Sequence, residues 1–261
     1  ERLAAIRAGG LRIHNVFTAE EETADVRLVE RLHPSERYDL VLVTVRAAQV
    51  LDALAALGPC AGCRAVAVIG NNFSGHADQA ALVGRERFVL GFGSFGGYRD
   101  EGVIAYLDGR TAEHPGPERR SPTTLGVLSP EAKPALAVAK EALERAGLPV
   151  RVSTDMAAWL ICHAAMVFPL AGGIYAAGGG QERTCRTRDA LVLGFRAFRE
   201  LFRALRKLSV QVEPGSLRPF LRTPEPLVVR MLSRMLSRDS ARVAVFGHAN
   251  AAGGRDEIAG Q

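Results

Sequence analysis

The chain is short of cysteine, tryptophan and long apolar runs, with four cysteines and one tryptophan in 261 residues. So few cysteines do not make a disulfide scaffold and suit a reducing compartment, so a cytoplasmic location is expected. Cys60 and Cys63 form a lone Cys-x-x-Cys. A structural zinc site needs a second ligand pair at similar spacing; the sequence has none, and no metal is expected. Pro59 and Gly62 make the stretch read as a loop. No apolar run reaches the roughly 18 residues of a membrane-spanning helix, so no membrane partner is expected. The chain opens Glu-Arg-Leu, without Met and without a basic segment leading into an apolar one. No signal peptide is therefore visible, and the chain is expected to start inside a longer product.

The formal charge is +5 and the isoelectric point is near 9.3. There is no Lys/Arg block with interleaved stacking aromatics, so a nucleic-acid partner is not expected. A solvated basic surface is, and its long-range field would attract anionic cofactors and substrates. Hydrophobic residues at 48% and charged residues at 23% are ordinary globular values.

Two compositions meet near residue 150. Before it, short apolar runs alternate with helical patterns. Val41–Val45 and Ala65–Ile69 are continuous rather than alternating, as strands buried on both faces of a parallel sheet read. Ala47–Leu57 between them carries a helical pattern, giving a strand-helix-strand unit. Phe88–Phe95, Val103–Leu107 and Thr123–Leu128 read as further strands. Pro130–Arg145 reads as a helix stopped by Gly147-Leu148-Pro149. After Thr154 the strands disappear. Helices are expected over Asp155–Leu170, ended by Pro169, over Arg188–Leu208 with an apolar stripe that includes Phe195, Phe198 and Phe202, and over Leu227–Phe246. The expected organisation is an α/β layer over 1–152 and an all-helical domain over 153–261.

Several segments together resemble the ketopantoate reductase (2-dehydropantoate 2-reductase) family. Glu1 to Ile13 is similar to the segment after that family's second strand. Asp39-Leu40-Val41-Leu42-Val43-Thr44-Val45-Arg46-Ala47-Ala48-Gln49 resembles its "DLVLVTVKAxQ". Ile69-Gly70-Asn71-Asn72 sits where it has a strand ending in Asn-Gly. Phe88 to Gly91 and Tyr98 to Gly102 resemble its next strand and turn, and Trp159 to Leu170 its catalytic helix. The resemblance implies a Rossmann-type NAD(P)-binding domain followed by an all-α domain. It implies NADPH as cofactor, a 2-keto acid as substrate, a 2-hydroxy acid as product, a place in pantothenate synthesis, and a homodimer. No Gly-x-Gly-x-x-Gly follows a first strand here; Gly91 to Gly96 imitates the spacing inside a strand-and-turn stretch. The resemblance therefore implies that the first strand, turn and helix, about 25–30 residues, precede Glu1.

The same resemblance assigns site residues. Arg46 falls on a family Lys at the C-terminal end of a parallel strand, where ligands of open sheets bind; its structural alternative is a surface cap. Asn71 falls on the family's cofactor-site Asn, and a turn Asn is the alternative. Gly97 matches a small residue that lets the cofactor approach the backbone, and a turn glycine is the alternative. Glu257 matches a cofactor- and substrate-facing Glu, against an exposed terminal charge. The family's catalytic Lys falls on Leu160, two family Asn residues fall on Ala164 and Phe168, and a third falls near Gly178 or Gly179. A carbonyl accepting hydride needs a proton donor nearby, and Leu160 cannot be one. His163, one position away, is the candidate replacement; a packed core histidine is the alternative, and His248 is read in the same way. Two readings remain: a reductase with altered chemistry, or a degenerate dinucleotide-binding homologue serving as sensor or partner subunit.

Overall fold

A computed structural model describes residues 2–58, 62–100 and 102–238. It divides into two compact units. One holds residues 1–70 and 75–154; the other holds residues 71–74 and 155–261. The break after residue 154 is close to the composition boundary. The excursion of residues 71–74 into the second unit left no trace in composition.

The first unit is α/β. Its elements in order are α1 (Arg2–Gly9), β1 (Leu11–Asn15), β2 (Glu21–Ala24), β3 (Tyr38–Val43), α2 (Val50–Leu57), β4 (Cys63–Ile69), α3 (His76–Val83), β5 (Phe88–Phe92), β6 (Gly96–Asp100), β7 (Val103–Leu107), β8 (Thr123–Gly126), α4 (Lys133–Arg145) and β9 (Val150–Val152). Five strands form one sheet in the order β3-β4-β5-β8-β9. β3, β4 and β5 run parallel, with Val43 opposite Val68 and Val68 opposite Leu90. This is the Rossmann-type layer, and the fold class is α/β followed by all-helical. A second sheet, β2-β1-β7-β6, was not anticipated as separate.

β4 is buried almost throughout, as its continuous apolar run requires. Alanines 65 and 67 on β4 face Ala135 and Ala139 on α4, with Leu125 and Val89 completing that core. Small side chains on both surfaces let helix and sheet approach closely. β3 departs from the expectation of burial on both faces, because it lies at the edge of its sheet. Leu42 there is 45% exposed. Cys63 is also not a loop residue; it opens β4 and is buried.

A buried polar cluster ties β1 to the chain after β7. Arg110, 4% exposed, donates from Nε to Asp108 Oδ2 at 2.9 Å, from Nη1 to Glu20 Oε2 at 2.6 Å and from Nη2 to the Tyr106 hydroxyl at 3.2 Å. Asn15 Nδ2 donates to Asp108 Oδ1 at 3.2 Å, and Arg120 Nε lies 3.3 Å from Asp108 Oδ2. Burial pulls the Arg110 guanidinium toward its neutral form, but hydrogen bonds to Glu20 and Asp108 outweigh it, and its pKa rises.

The second unit is helical: α5 (Met156–Ala176), α6 (Gln181–Arg186), α7 (Arg188–Lys207), α8 (Leu217–Arg222) and α9 (Glu225–Leu236). Residues 239–246 of the last expected helix lie outside the described residues. Asp155 caps α5 by accepting the Ala158 N–H at 2.9 Å. Pro169 does not end this helix as expected; it lies inside it. Proline removes one hydrogen-bond donor but not the packing, and α5 continues because its next residues bury against α7. A Cβ on Gly173 would meet Ala190 O at 3.0 Å, and one on Gly194 would meet Pro169 O at 2.9 Å. The stop comes at Gly178 and Gly179, whose φ values of 92° and 88° suit glycine, and Gly179 N donates to Ile174 O at 2.9 Å. By length and composition α5 could cross a membrane, at mean hydropathy 1.7, against the expectation that no apolar run is long enough; half of that window is buried, as a core helix requires. Phe195, Phe198 and Phe202 of α7 pack on Cys162, Ala165 and Val228.

Candidate functional site

The carboxyl ends of β3 and β4 lie on one edge of the parallel sheet, where a dinucleotide meets an open α/β layer. Arg46 follows β3 by three residues and stands immediately before the helical turn Ala47–Gln49. It is exposed, and its guanidinium forms no ion pair or hydrogen bond among the described residues. An Arg in this setting is available to grip a phosphate or carboxylate with two parallel hydrogen bonds.

β4 is followed by Gly70, which has a φ of 148° and open space where a Cβ would stand. Its glycine is required by backbone conformation. Asn71, half-buried, follows at once and begins the four-residue segment that joins the helical unit. Gly97 is elsewhere, on β6 of the second sheet, paired with Tyr106. A Cβ there would meet Ala105 O at 2.4 Å, so the close approach of β7 already accounts for this glycine. Glu257 and His248 lie outside the described residues.

On α5 the three positions that the resemblance would make polar are packed. Leu160 is 0% exposed and Ala164 is buried. Phe168 meets Phe73 edge to face, with ring centroids 5.8 Å apart and planes at 90°. Phe73 is the aromatic of the segment that starts at Asn71. It was not anticipated, because nothing local marks a residue whose partner is a distant helix. His163 stacks on Trp159, one helical turn earlier, at 5.3 Å between centroids and 6° between planes. The imidazole is half-buried and held flat by the indole.

Cys162, on the neighbouring face of α5, is a buried thiol whose Sγ lies 3.5 Å from both Gln211 O and Glu213 N. Burial pushes its pKa up against the opposing Glu213 N–H, so it is no nucleophile at neutral pH. Among the described residues no cluster of His, Cys, Asp or Glu could hold a metal ion.

With this geometry in hand, residues 1–116 match the family model Ketopantoate reductase PanE/ApbA. The match covers 116 of the 261 residues, all within the α/β unit apart from residues 71–74. Among solved structures, D-mandelate dehydrogenase with NADH and anilino(oxo)acetate is similar at 15% identity and a TM-score of 0.67, over 91% of this chain and 70% of that one. A ketopantoate reductase-type protein from Ralstonia solanacearum is 16% identical with a TM-score of 0.62, over 99% and 85%. A 2-dehydropantoate 2-reductase-type protein from Enterococcus faecalis is 18% identical with a TM-score of 0.53, over 94% and 72%. These likenesses extend the shared fold through the helical unit. No curated protein matches significantly.

Proposed function

We propose that this protein is an NADP-dependent oxidoreductase that reduces a 2-keto acid to a 2-hydroxy acid. The observation that carries the reading is the family match over residues 1–116, which contains both Arg46 and the β4–Asn71 junction. When bound, the nicotinamide cofactor supplies the hydride. Arg46 would hold its phosphate, and the Asn71 amide would bond its ribose or the substrate. The family resemblance would also bring Glu257 to the cofactor, whereas Gly97 is accounted for by its β7 neighbour. His163, held by Trp159, is the candidate donor of the proton that the reduced carbonyl needs.

Support for NADP comes from the family resemblance. The neighbouring mandelate dehydrogenase carries NADH in its structure, so both cofactors belong in the test. The intact protein is to be titrated with NADPH and NADH, then assayed for loss of the reduced cofactor against a panel of 2-keto acids. Turnover with NADPH supports the reading; silence across the panel despite tight cofactor binding sinks it.

One observation favours a second reading, that of a degenerate dinucleotide-binding homologue acting as sensor or partner subunit. Leu160 and Ala164 are buried, and Phe168 is covered by Phe73. That face then has no polar group to serve a carbonyl. Cofactor binding with no turnover is the result that separates the two.

A further inference from the structure

Five arginines of the helical unit surround one concavity of about 330 Å³. Arg199, Arg203 and Arg206 come from α7 at spacings of four and three, which places them on one helix face. Arg218 and Arg222 come from α8, again four apart. Between the two rows is an apolar floor that includes Phe202.

Like charges at these spacings repel, and the usual remedy is interleaved carboxylates. Elsewhere in this unit that remedy is used. Arg196 holds Glu225 through two hydrogen bonds of 2.8 and 3.0 Å, and Arg186 lies 3.2 Å from Glu182. None of the five around the concavity forms an ion pair among the described residues, and Glu200 on the same helix pairs with none of them. The Arg199 guanidinium carbon lies 5.8 Å from the centre of the Phe195 ring, one turn earlier on α7. The five basic residues thus line a concavity rather than a flat basic face.

From this we infer a polyphosphate-binding site between α7 and α8, taking a small molecule with a chain of two or more phosphates. Guanidinium forks match phosphate oxygens in pairs, and five of them exceed what a single carboxylate could neutralise. The volume suits a small ligand. Single-stranded nucleic acid fits less well. It uses exposed aromatic platforms, and Phe202 is 3% exposed. The site uses none of the residues assigned to the reductase reading, so either can fail without the other.

The test is calorimetric titration of the intact protein with inorganic tripolyphosphate, and separately with ATP, at fixed ionic strength and without keto acid. One site per chain is expected, with affinity at least about tenfold weaker in R203A/R218A, as loss of charge-assisted hydrogen bonds implies. R151E and R230E, which change charge elsewhere, are expected to leave it within about twofold. Arg46→Ala is expected to leave tripolyphosphate binding intact, which separates this site from the cofactor's. Equal affinities for the two ligands assign the site to the phosphate chain alone; tighter ATP binding that is lost in R203A/R218A assigns it to a nucleotide. The inference is overturned by no binding at millimolar ligand, by equal losses in the control variants, or by preference for an oligonucleotide over tripolyphosphate. Thermal melts of R203A/R218A guard against misfolding: removing mutual repulsion should leave its midpoint unchanged or higher.

Discussion

Replacing Arg110 by Met tests whether the polar cluster at the β1–β7 end of the α/β unit is a structural device. Met keeps much of the stem's volume and removes every donor. Asp108, whose side chain is 9% exposed, would then lose its Nε partner at 2.9 Å. Breaking a buried pair by removing one member costs about 3–5 kcal/mol, mostly the stranded charge. Two features pull the value to the lower end. Asp108 keeps Arg120 Nε at 3.3 Å and Asn15 Nδ2 at 3.2 Å. Glu20 is 46% exposed and can turn to water. The expected loss is therefore about 3 kcal/mol, or a fall in melting midpoint of about 6–12 °C for a unit of this size. Urea unfolding followed by circular dichroism measures it. Adding Asp108→Asn to Arg110→Met should recover at least about 1 kcal/mol, since the stranded charge is then gone. A single-variant loss below about 1 kcal/mol, as for a surface pair, would refute the buried network.

Gly194→Ala should destabilise the helical unit: the gain in helix propensity, about 1 kcal/mol, is smaller than the overpacking cost of up to about 3 kcal/mol where the new methyl meets Pro169 O at 2.9 Å, and a higher melting midpoint would contradict this. Leu160→Lys should unfold well before Leu160→Met, because a fully buried ammonium is desolvated; equal midpoints would show that the site is open. Arg46→Ala should weaken NADPH binding about tenfold without altering the melt, read by cofactor fluorescence. Cys162, its pKa raised by burial, should resist alkylation at neutral pH. A raised thiol pKa favours the unfolded state only once the unfolded thiol ionises, so this contribution is intact below pH of about 8.5 and declines above it. Fast labelling of Cys162 under native conditions, followed by peptide mass spectrometry, would argue against it.

The division into an α/β layer and a helical layer was legible because burial leaves period and composition in the sequence. β4 reads as continuous apolar residues, and α7 as a stripe of phenylalanines opposite arginines. The apolar character of α5 was legible as well, but its length was not. Pro169 is a local stop signal, and only tertiary packing through Gly173 and Gly194 overrides it. The exposure of Leu42 on β3 was hidden for a related reason: a run such as Leu40–Val43 reads the same at a sheet's edge as at its centre. The Arg110 cluster reads as ordinary surface charge, since its partners at Glu20 and Asp108 are brought together only by the pairing of β1 with β7. For the candidate site, Arg46 and Asn71 were named from the family resemblance, and both lie just after strands of the parallel sheet. The apolar face of α5 could be read as lacking a donor, but Phe73, which covers part of it, could not be found before the chain was folded.

The central claim is a nicotinamide-dependent reductase built on this scaffold. Its most direct test is the rate at which the intact protein oxidises NADPH with a panel of 2-keto acids, compared with His163→Ala. The account predicts turnover with at least one keto acid and a loss of about 10²–10⁴-fold in His163→Ala, the range of a general acid, with cofactor affinity unchanged. Tight NADPH binding with no turnover by either protein would contradict the account and leave a binding protein in its place.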